Sequence, residues 1–385
     1  MNPALRALKP YPMAQLQARK AAVIKAGKRV FDFGTGDPVE PTPSFIPEAL
    51  KAAVPTISQY PSVAGTASLR TAVAGYALRR FGVTLDATTQ VLPSAGSKEA
   101  IFHLALAFLD PTSHKNSVVF GTPGYPVYES GALFAGGNSI PVVLNRDQGY
   151  RLELERLPAE VLARTSIAWI NYPHNPTGAC VDLGYLAAQL AVCRAHGILL
   201  ASDECYQDLW FGDAPMPPSA LQVAGPDLRG MLAFHSCSKR SGMTGYRSGF
   251  IAGDASLISA FRGWRAHFGV GSPAFIEQAA AAAWNDDAHA AQRRTVFAAK
   301  YQVLTDGLQA RGIQTLPSQA GLYIWAQVPG GEHADAYAAR CLDAGIVVSP
   351  GGFFGAAGTE ADRWFRLALV PTLDECRAAL EIWPA

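Results

Sequence analysis

Short apolar runs alternate with amphipathic stretches through the first two thirds of the chain. Such runs, bounded by turn residues, are typical of strands buried in a sheet, and they cover 29–33, 117–120, 139–144, 166–171, 197–203 and 231–236. Between them, the spacing of apolar positions predicts helices over 69–81, 97–109 and 183–197. Strands and helices in alternation favour an α/β fold with a mainly parallel sheet flanked by helices.

The last third has a different pattern. Residues 273–312 form a long, alanine-rich helical stretch, which is followed by three short apolar runs and a closing helix. This order predicts a smaller α+β domain. We therefore expect residues 1–40 to join the small domain, residues 41–270 to form a large domain, and residues 271–385 to form the small domain, with a cleft between the two.

Composition narrows the functional classes. The chain has 385 residues, 49% of them hydrophobic, so it can bury a large core. Its net charge of +1 offers no basic surface for nucleic acid or an anionic membrane. No apolar run reaches the roughly 18 residues that span a bilayer, and the N-terminus has no signal-peptide core. We expect a cytoplasmic protein whose six cysteines are reduced, since no C-x-x-C pair is present.

Two kinds of catalytic site are disfavoured by motifs that the chain lacks. The eight histidines show no H-E-x-x-H or comparable spacing, so no metal site is predicted. No G-x-S-x-G elbow is present to anchor a hydrolase triad. We expect His174 and His235 to pack or to hydrogen-bond inside the fold.

A glycine pair follows the first predicted strand. Gly34-x-Gly36 resembles the start of a dinucleotide-binding loop, which leaves an NAD-dependent oxidoreductase as an alternative. That loop needs a third glycine opening a helix, but Val39 stands at this position, between prolines that resist helix formation. Gly36 is still a candidate for close approach of the backbone to a ligand.

The segment Gly96-Ser97-Lys98 lies between a strand end and a predicted helix. Free N–H groups and the macrodipole make a helix N-terminus a binding site for phosphate. An ordinary cap, in which the Ser97 side chain caps the helix and Glu99 lies in the first turn, fits the same residues equally well.

Polar side chains also follow two later strands. "INYPHNPTGA" carries Asn171 and Asn175, and "ILLASDECY" ends its apolar run in Asp203 and Glu204. Ligands of open α/β sheets bind at this carboxyl edge. A buried acid needs a partner, and a protonated ring nitrogen or a cation would serve. A plain turn and a helix cap are the competing interpretations.

The stretch "SCSKRSGMTGYRSGF" places three cations among small residues. Lys239 is either a surface residue or, near Arg247 in a partly dry site, an amine nucleophile with a lowered pKa. Ser236 and Arg247 are suited to bind a phosphate, whereas Arg240 has no predicted role. Arg366 lies in a predicted strand, where a guanidinium must face an acid or bind an anionic substrate.

The order of these blocks resembles the fold-type I, pyridoxal-phosphate-dependent aminotransferases of class I/II. The blocks are the G-S-K turn, "TPGYPVY", "NYPHNPTG", "SDECY", the cationic stretch and "FRLAL". The N-terminus, "QYPSVAGTASLR" and "SKRSGMTGYRSGFIAGD" further resemble the bacterial N-succinyldiaminopimelate aminotransferases. The resemblance covers nearly the whole chain and implies a three-layer fold around a mainly parallel seven-stranded sheet.

The resemblance implies a pyridoxal 5'-phosphate site in the large domain. Lys239 would hold the cofactor as a Schiff base and move the substrate proton, and Asp203 would pair with the ring nitrogen. The other implied contacts are Tyr206 and Asn175 to the 3-oxygen of the ring, Tyr125 to the ring face, and Gly96, Ser97, Lys98, Ser236 and Arg247 to the phosphate.

The resemblance also implies the substrate contacts and a partner. Arg366 would bind the α-carboxylate of amino-acid and 2-oxo-acid substrates, with Gly36 and Asn175 lining that pocket. Tyr60 resembles the tyrosine that reaches the phosphate of the neighbouring subunit. This position implies a homodimer with active sites at the interface.

The implied reaction exchanges the amino group of N-succinyl-LL-2,6-diaminopimelate with 2-oxoglutarate, giving N-succinyl-2-amino-6-oxopimelate and glutamate, in lysine biosynthesis. Alternatives are an aspartate or aromatic aminotransferase and a carbon–sulfur β-lyase on the same scaffold. Aspartate enzymes use a further arginine in a region that here reads "FGVGSPAF", so aspartate is a less favoured donor. Arg19, Arg262 and Arg265 are candidate substitutes for that arginine. A ligand-sensing domain of a transcription regulator is disfavoured, because no basic DNA-binding segment precedes the core.

Overall fold

A computed structural model describes residues 2–8, 12–269, 271–355 and 358–384. The helices of these residues are α1 (Pro3–Ala7), α2 (Pro12–Lys25), α3 (Phe45–Ala53), α4 (Ala67–Phe81), α5 (Ser97–Phe108), α6 (Val127–Phe134), α7 (Ala159–Arg164), α8 (Leu183–His196), α9 (Cys237–Arg240), α10 (Ala255–Arg265), α11 (Ala274–Asn285), α12 (Ala288–Gln309), α13 (Ala334–Asp343) and α14 (Leu373–Glu381). The strands are β1 (Phe31–Asp32), β2 (Val91–Ser94), β3 (Ser117–Thr122), β4 (Asn138–Val143), β5 (Thr165–Asn171), β6 (Leu199–Asp203), β7 (Met231–Ser236), β8 (Gly249–Gly253), β9 (Tyr323–Gln327), β10 (Ile346–Val347), β11 (Ser349–Pro350) and β12 (Trp364–Ala368).

Seven strands form one sheet in the order β2-β8-β7-β6-β5-β3-β4. The strands from β7 to β4 in this order run parallel, and β8 is antiparallel to both of its neighbours. Successive residues face opposite sides, so Val118 and Phe120 pack in one core and Val119 packs in the other. The α/β fold with a helix-covered, mainly parallel sheet is therefore confirmed.

Strand β4 differs from its sequence-based prediction. The run at 139–144 was expected to be a buried strand, but β4 lies at the edge of the sheet and pairs only with β3 within the described residues. Its residues are exposed or only partly buried, and Val143 is half exposed. A β-branched run predicts a strand but does not fix the position of that strand in the sheet.

Two smaller sheets are formed mainly by the C-terminal third, and one of them includes the N-terminal strand β1. One is antiparallel, in the order β11-β12-β9, and the other pairs β1 with β10. The N-terminal residues Phe31 and Phe33 share a hydrophobic core with Ile324, Tyr337 and Phe365. The N-terminal segment thus packs with C-terminal elements.

The helical stretch 273–312 is divided into α11 and α12 at Asp286 and Asp287. Helix α11 packs against α3 and α4, and its Trp284 belongs to a core of the seven-stranded sheet. The predicted domain limits stay a prediction, and this packing favours a boundary after α11 over one before it.

The carboxyl ends of β5, β6 and β7 meet at one edge of the large sheet. These ends carry Asn171, Asp203 and Ser236, and the small sheets lie beyond them. In the part of the chain that the structure describes, no helix is both long and apolar enough to cross a membrane. All six cysteines are free thiols.

Candidate active site

A cavity of about 540 Å³ opens at this edge of the sheet. It brings together most of the residues predicted for the site, namely Gly36, Ser97, Lys98, Tyr125, Asn175, Asp203, Tyr206, Ser236, Lys239, Arg247 and Arg366. Gly96 adjoins it, because a Cβ built there would lie 2.3 Å from Nη2 of Arg247. Tyr60 does not line the cavity and is fully exposed.

Helix α5 begins at the cavity without a side-chain cap. Gly96 is its N-cap, in the left-handed region at φ 79°, where only glycine is unstrained. The Ser97 hydroxyl does not cap the helix; it accepts a hydrogen bond from Sγ of Cys205 at 3.0 Å. The interpretation of Ser97 as an ordinary cap is therefore wrong. The uncapped helix start and the nearby Arg247 guanidinium form a cradle suited to a phosphate.

The first turn of α5 is fixed by a buried ion pair. Nη1 and Nη2 of Arg265 donate to the two oxygens of Glu99 at 2.9 and 2.8 Å, and Glu99 also accepts from the Ala95 N–H at 2.8 Å. Arg265 is fully buried, so it is not available to bind a substrate carboxylate. Arg19 and Arg262, the other candidate substitutes, do not line the cavity.

Asp203 ends β6 with its carboxylate in the cavity wall. Burial raises the pKa of Asp203, and hydrogen bonds from Cys205 and Tyr128 oppose this rise. The Tyr128 hydroxyl donates to Oδ2 at 2.8 Å, and its ring stacks on Trp169 with centroids 4.8 Å apart. Sequence reasoning missed Tyr128, which lies in α6 three residues after Tyr125.

Lys239 lies in the short helix α9, which follows β7. Burial lowers the pKa of Lys239 to about 8. Its Nζ donates to the carbonyl oxygen of Gly36. A lysine in this position is not a surface residue, and its amine is partly neutral at physiological pH, as a nucleophile requires.

Arg366 pairs with no carboxylate among the residues that the structure describes. Its Nη1 donates to Oδ1 of Asn175 at 3.0 Å and its Nη2 to the carbonyl of Gly34 at 2.7 Å. Its buried Nε has no partner among the described residues. The first predicted possibility, an acid partner, is therefore wrong. The second one, an anionic ligand, fits a buried guanidinium with a spare donor.

The structure gives Arg240 a structural role, which the sequence did not predict. Its guanidinium donates to Asp208 at 2.6 Å, to Asp287 at 2.8 Å and to the carbonyls of Ala283 and Asp286 at 2.6 and 3.0 Å. Arg80 pairs with the same Asp208 at 2.9 Å. Arg240 therefore ties α9 to the end of α11 and does not line the cavity.

The two histidines behave as expected for buried packing residues. His174 hydrogen-bonds to the Thr177 hydroxyl at 2.7 Å, and His235 stacks on Phe250 and pairs with Glu204 at 3.1 Å. The described residues contain no cluster of ligand side chains suited to a metal ion.

Comparison with known proteins decides the family. The family model for aminotransferase class I and II matches residues 28–382. The chain belongs to this family. It is similar to the LL-diaminopimelate aminotransferase of Desulforudis audaxviator, at 38% identity over 96% of this chain and 93% of that protein. It is also similar to LL-diaminopimelate aminotransferase 2 of Trichormus variabilis, at 35% identity over 98% and 96% of the two chains.

Solved structures have the same fold. An aminotransferase from Neisseria meningitidis superposes with a TM-score of 0.91 at 32% identity and covers 99% of each chain. A probable N-succinyldiaminopimelate aminotransferase from Thermus thermophilus superposes with a TM-score of 0.88 at 25% identity, over 96% of this chain and 98% of that one. This class I/II aminotransferase depends on pyridoxal 5'-phosphate, as its family does. The oxidoreductase alternative is therefore wrong, and residues 37–43 contain no helix after the glycine pair.

The residues of the cavity fit this cofactor. The uncapped start of α5 and the guanidinium of Arg247 suit its phosphate, and a Cβ at residue 96 would occupy that cradle. Asp203 is a buried carboxylate that needs a cationic neighbour, which a protonated ring nitrogen supplies. The amine of Lys239 faces the same cavity.

Proposed function

We propose that this aminotransferase transfers the amino group of N-succinyl-LL-2,6-diaminopimelate to 2-oxoglutarate, in lysine and diaminopimelate biosynthesis. The observation that carries the proposal is the presence in one cavity of the buried Arg366 guanidinium and the Lys239 amine. A carboxylate-binding group beside a proton-accepting amine suits an α-amino acid.

A second cavity supports a long donor. It measures about 700 Å³, adjoins the first and shares Lys98, Tyr125, Arg247 and Phe354 with it. Its other walls are largely apolar and include Phe102, Phe120, Leu133 and Phe134. The methylene chain of a diaminopimelate derivative would lie against these apolar walls. Aspartate would leave this space unfilled.

Each side chain of the cavity has a separate role in the proposed reaction. Pyridoxal phosphate, when bound, supplies a ring that withdraws electrons from the substrate Cα. Nζ of Lys239 would accept the proton that leaves Cα and deliver it to C4′ of the cofactor. Asp203, as an anion, would pair with the ring nitrogen, and Arg247 with the start of α5 would bind the phosphate. Arg366 holds the α-carboxylate, so that the reacting carbon stays beside Lys239.

The cofactor ring needs contacts on its face and at its 3-oxygen. Tyr125 would cover the ring face, and Tyr206 and Asn175 would donate to the 3-oxygen. Ser97, Lys98 and Ser236 would complete the phosphate contacts, and the backbone at Gly36 would border the substrate.

We further propose a homodimer in which Tyr60 reaches the phosphate of the neighbouring subunit. Tyr60 and Ile57 are both strongly exposed, at 103% and 75%, so both side chains are accessible to a partner subunit. Mixing inactive Tyr60→Ala and Lys239→Ala variants should restore partial activity, because one hybrid site carries both native residues. Subunit exchange shown by mass spectrometry without any recovery would contradict the shared site.

LL-diaminopimelate itself is a second candidate donor, favoured by the names of the relatives at 35–38% identity. A donor panel with 2-oxoglutarate, scored by glutamate formation, tests the proposal. The panel contains N-succinyl-LL-diaminopimelate, LL-diaminopimelate, acetylornithine, aspartate and phenylalanine. The highest kcat/KM for the succinylated donor supports the proposal, and a higher value for any other donor overturns it. In a separate assay with a cysteine S-conjugate, release of a thiol, pyruvate and ammonia without 2-oxoglutarate would indicate the β-lyase instead.

A further inference from the structure

Tyr323, on β9, was not singled out from the sequence, yet it contacts three residues of the site. We infer that Tyr323 is a positioning residue: its hydroxyl donates to the hydroxyl of Tyr206, and its ring supports the guanidinium of Arg366. The inference rests on the proposed roles of Tyr206 and Arg366 but not on the identity of the amino donor.

The two tyrosine hydroxyls form a buried pair. Their oxygens are 2.9 Å apart, and their rings meet edge to face with centroids separated by 5.3 Å. Both side chains are at least nine-tenths buried. Because buried hydroxyls are normally hydrogen-bonded, one of the two must donate to the other.

The charge of Arg366 sets the direction of this hydrogen bond. Its guanidinium carbon lies 4.3 Å from the ring centroid of Tyr323. Burial raises the pKa of Tyr323, and Arg366 opposes this rise. A nearby cation makes a hydroxyl a better donor, so Tyr323 donates and Tyr206 keeps its own proton to donate into the cavity. A donor that itself accepts a hydrogen bond is strengthened.

The backbone beside Tyr323 is adapted to its hydroxyl. A Cβ at Gly36 would lie 2.8 Å from the Tyr323 oxygen, closer than real Cβ contacts. The carbonyl of the same glycine accepts the hydrogen bond of the Lys239 amine. Gly36 thus leaves room for Tyr323 while it orients Lys239, which explains why this position lacks a side chain.

Spectroscopic titration of the cofactor-loaded enzyme tests the hydroxyl. The midpoint of the pH-dependent absorbance of the bound cofactor, without substrate, is measured for Tyr323→Phe, Tyr206→Phe and the double variant. A hydrogen bond donated to the 3-oxygen of the cofactor stabilises the form in which this oxygen is an anion. Removal of the donor in Tyr206→Phe therefore raises the pH midpoint of the absorbance change. Tyr323→Phe should raise it by a smaller amount, about half a pH unit. The double variant should match Tyr206→Phe alone, because Tyr323 acts through Tyr206. Additive shifts, or no shift in Tyr323→Phe, would overturn the inference.

Steady-state kinetics with glutamate as donor test the ring. Tyr323→Phe keeps the ring under Arg366 and should leave KM within about twofold of wild type. Tyr323→Leu removes the ring and should raise KM about tenfold. Equal changes of KM in both variants would overturn this part of the inference. If the wild-type enzyme does not use glutamate, the proposed reaction fails, whereas the absorbance titration still decides the role of Tyr323.

Discussion

At the residue scale, Lys239 and Asp203 are ionisable groups in positions where charge is costly. Burial changes the proton affinity of each in the direction that disfavours its charged form. For Lys239 the change makes the amine available near neutral pH. For Asp203 it would favour a neutral acid, and the hydrogen bond from Tyr128 counteracts this effect. The proposed chemistry therefore requires a neutral amine at Lys239 and an ionised carboxylate at Asp203 in the same buried cavity.

The lowered pKa of Lys239 predicts a pH dependence of cofactor binding. As pH rises through about 8, the amine of the cofactor-free enzyme loses its proton and can attack an aldehyde. The rate of recombination with pyridoxal phosphate should rise about tenfold per pH unit below this value and level off above it. Stopped-flow absorbance measures the rate. A rate that still climbs steeply well above pH 8 would mean that the amine is not perturbed.

The hydroxyl of Tyr128 is expected to keep Asp203 ionised. Tyr128→Phe preserves stacking on Trp169 but removes the donor, and should lower kcat/KM about tenfold, the typical value of a hydrogen bond to a charged group. Tyr185→Phe is the matched control, because its hydroxyl is also partly buried and bonds the Leu152 carbonyl at 2.7 Å, away from the cavity. Similar losses in both variants would contradict a specific role for Tyr128.

At the scale of elements, the site is built from the ends of strands and the starts of helices. The G-S-K turn, the end of β6 and the β7–α9 junction are local in sequence, so their motifs could be recognised from the chain alone. The partners that tune them are not local. Tyr128 lies 75 residues from Asp203, Tyr206 lies 117 residues from Tyr323, and Glu99 lies 166 residues from Arg265. Only the folded structure specifies such pairs, and for this reason the sequence could not exclude Arg265 as a candidate substitute for the missing arginine.

Gly96→Ala tests the helix start. The new Cβ would need a left-handed backbone and would meet Nη2 of Arg247 at 2.3 Å. The affinity for pyridoxal phosphate should fall at least about tenfold, because the new methyl group would displace the Arg247 guanidinium or distort the phosphate cradle. Gly82→Ala is the control: Gly82 is also left-handed, at φ 69°, but has open space around it. Equilibrium dialysis that finds equal affinities for the two variants would contradict the cradle.

Arg240→Met tests the anchoring of α9. The substitution leaves the buried Asp208 with the Arg80 guanidinium and the Tyr76 hydroxyl and should destabilise the fold by about 3–5 kcal/mol. Arg79→Met is the control, since its ion pair with Asp287 is largely exposed and should contribute at most about 1 kcal/mol. Chemical denaturation of both cofactor-free variants provides the comparison. A small loss for Arg240→Met would mean that α9 is held by other contacts.

At the scale of the whole molecule, a buried lysine joins the segment after Gly36 to the C-terminal third. Nζ of Lys300, on α12, pairs with Glu40 and also donates to the carbonyls of Leu369 and Val370 at 3.2 Å. Lys300 is completely buried, so this contact is protected from solvent. The segment that carries Gly36 is thus fastened to the end of β12, the strand of Arg366.

Lys300→Met should release this segment. Glu40 would lose its partner in a partly buried position, so we expect a lower melting temperature and a higher KM for the amino donor, with the cofactor still bound. The control is Lys20→Met, because Lys20 pairs with Asp32 in a more exposed position. Thermal unfolding and steady-state kinetics measure both effects. Loss of cofactor with unchanged KM would contradict the assignment.

The fastening by Lys300 has a mechanical consequence. The guanidinium of Arg366, which we propose binds the α-carboxylate, is bonded to the segment of Gly36 and lies in the C-terminal third, whereas Lys239 follows β7 of the large sheet. A rotation between these two bodies would therefore change the span available between a donor's carboxylate and its reacting carbon without disturbing either half. A change in the angle between the two bodies would thus alter which substrate lengths and shapes fit, without replacement of any catalytic side chain.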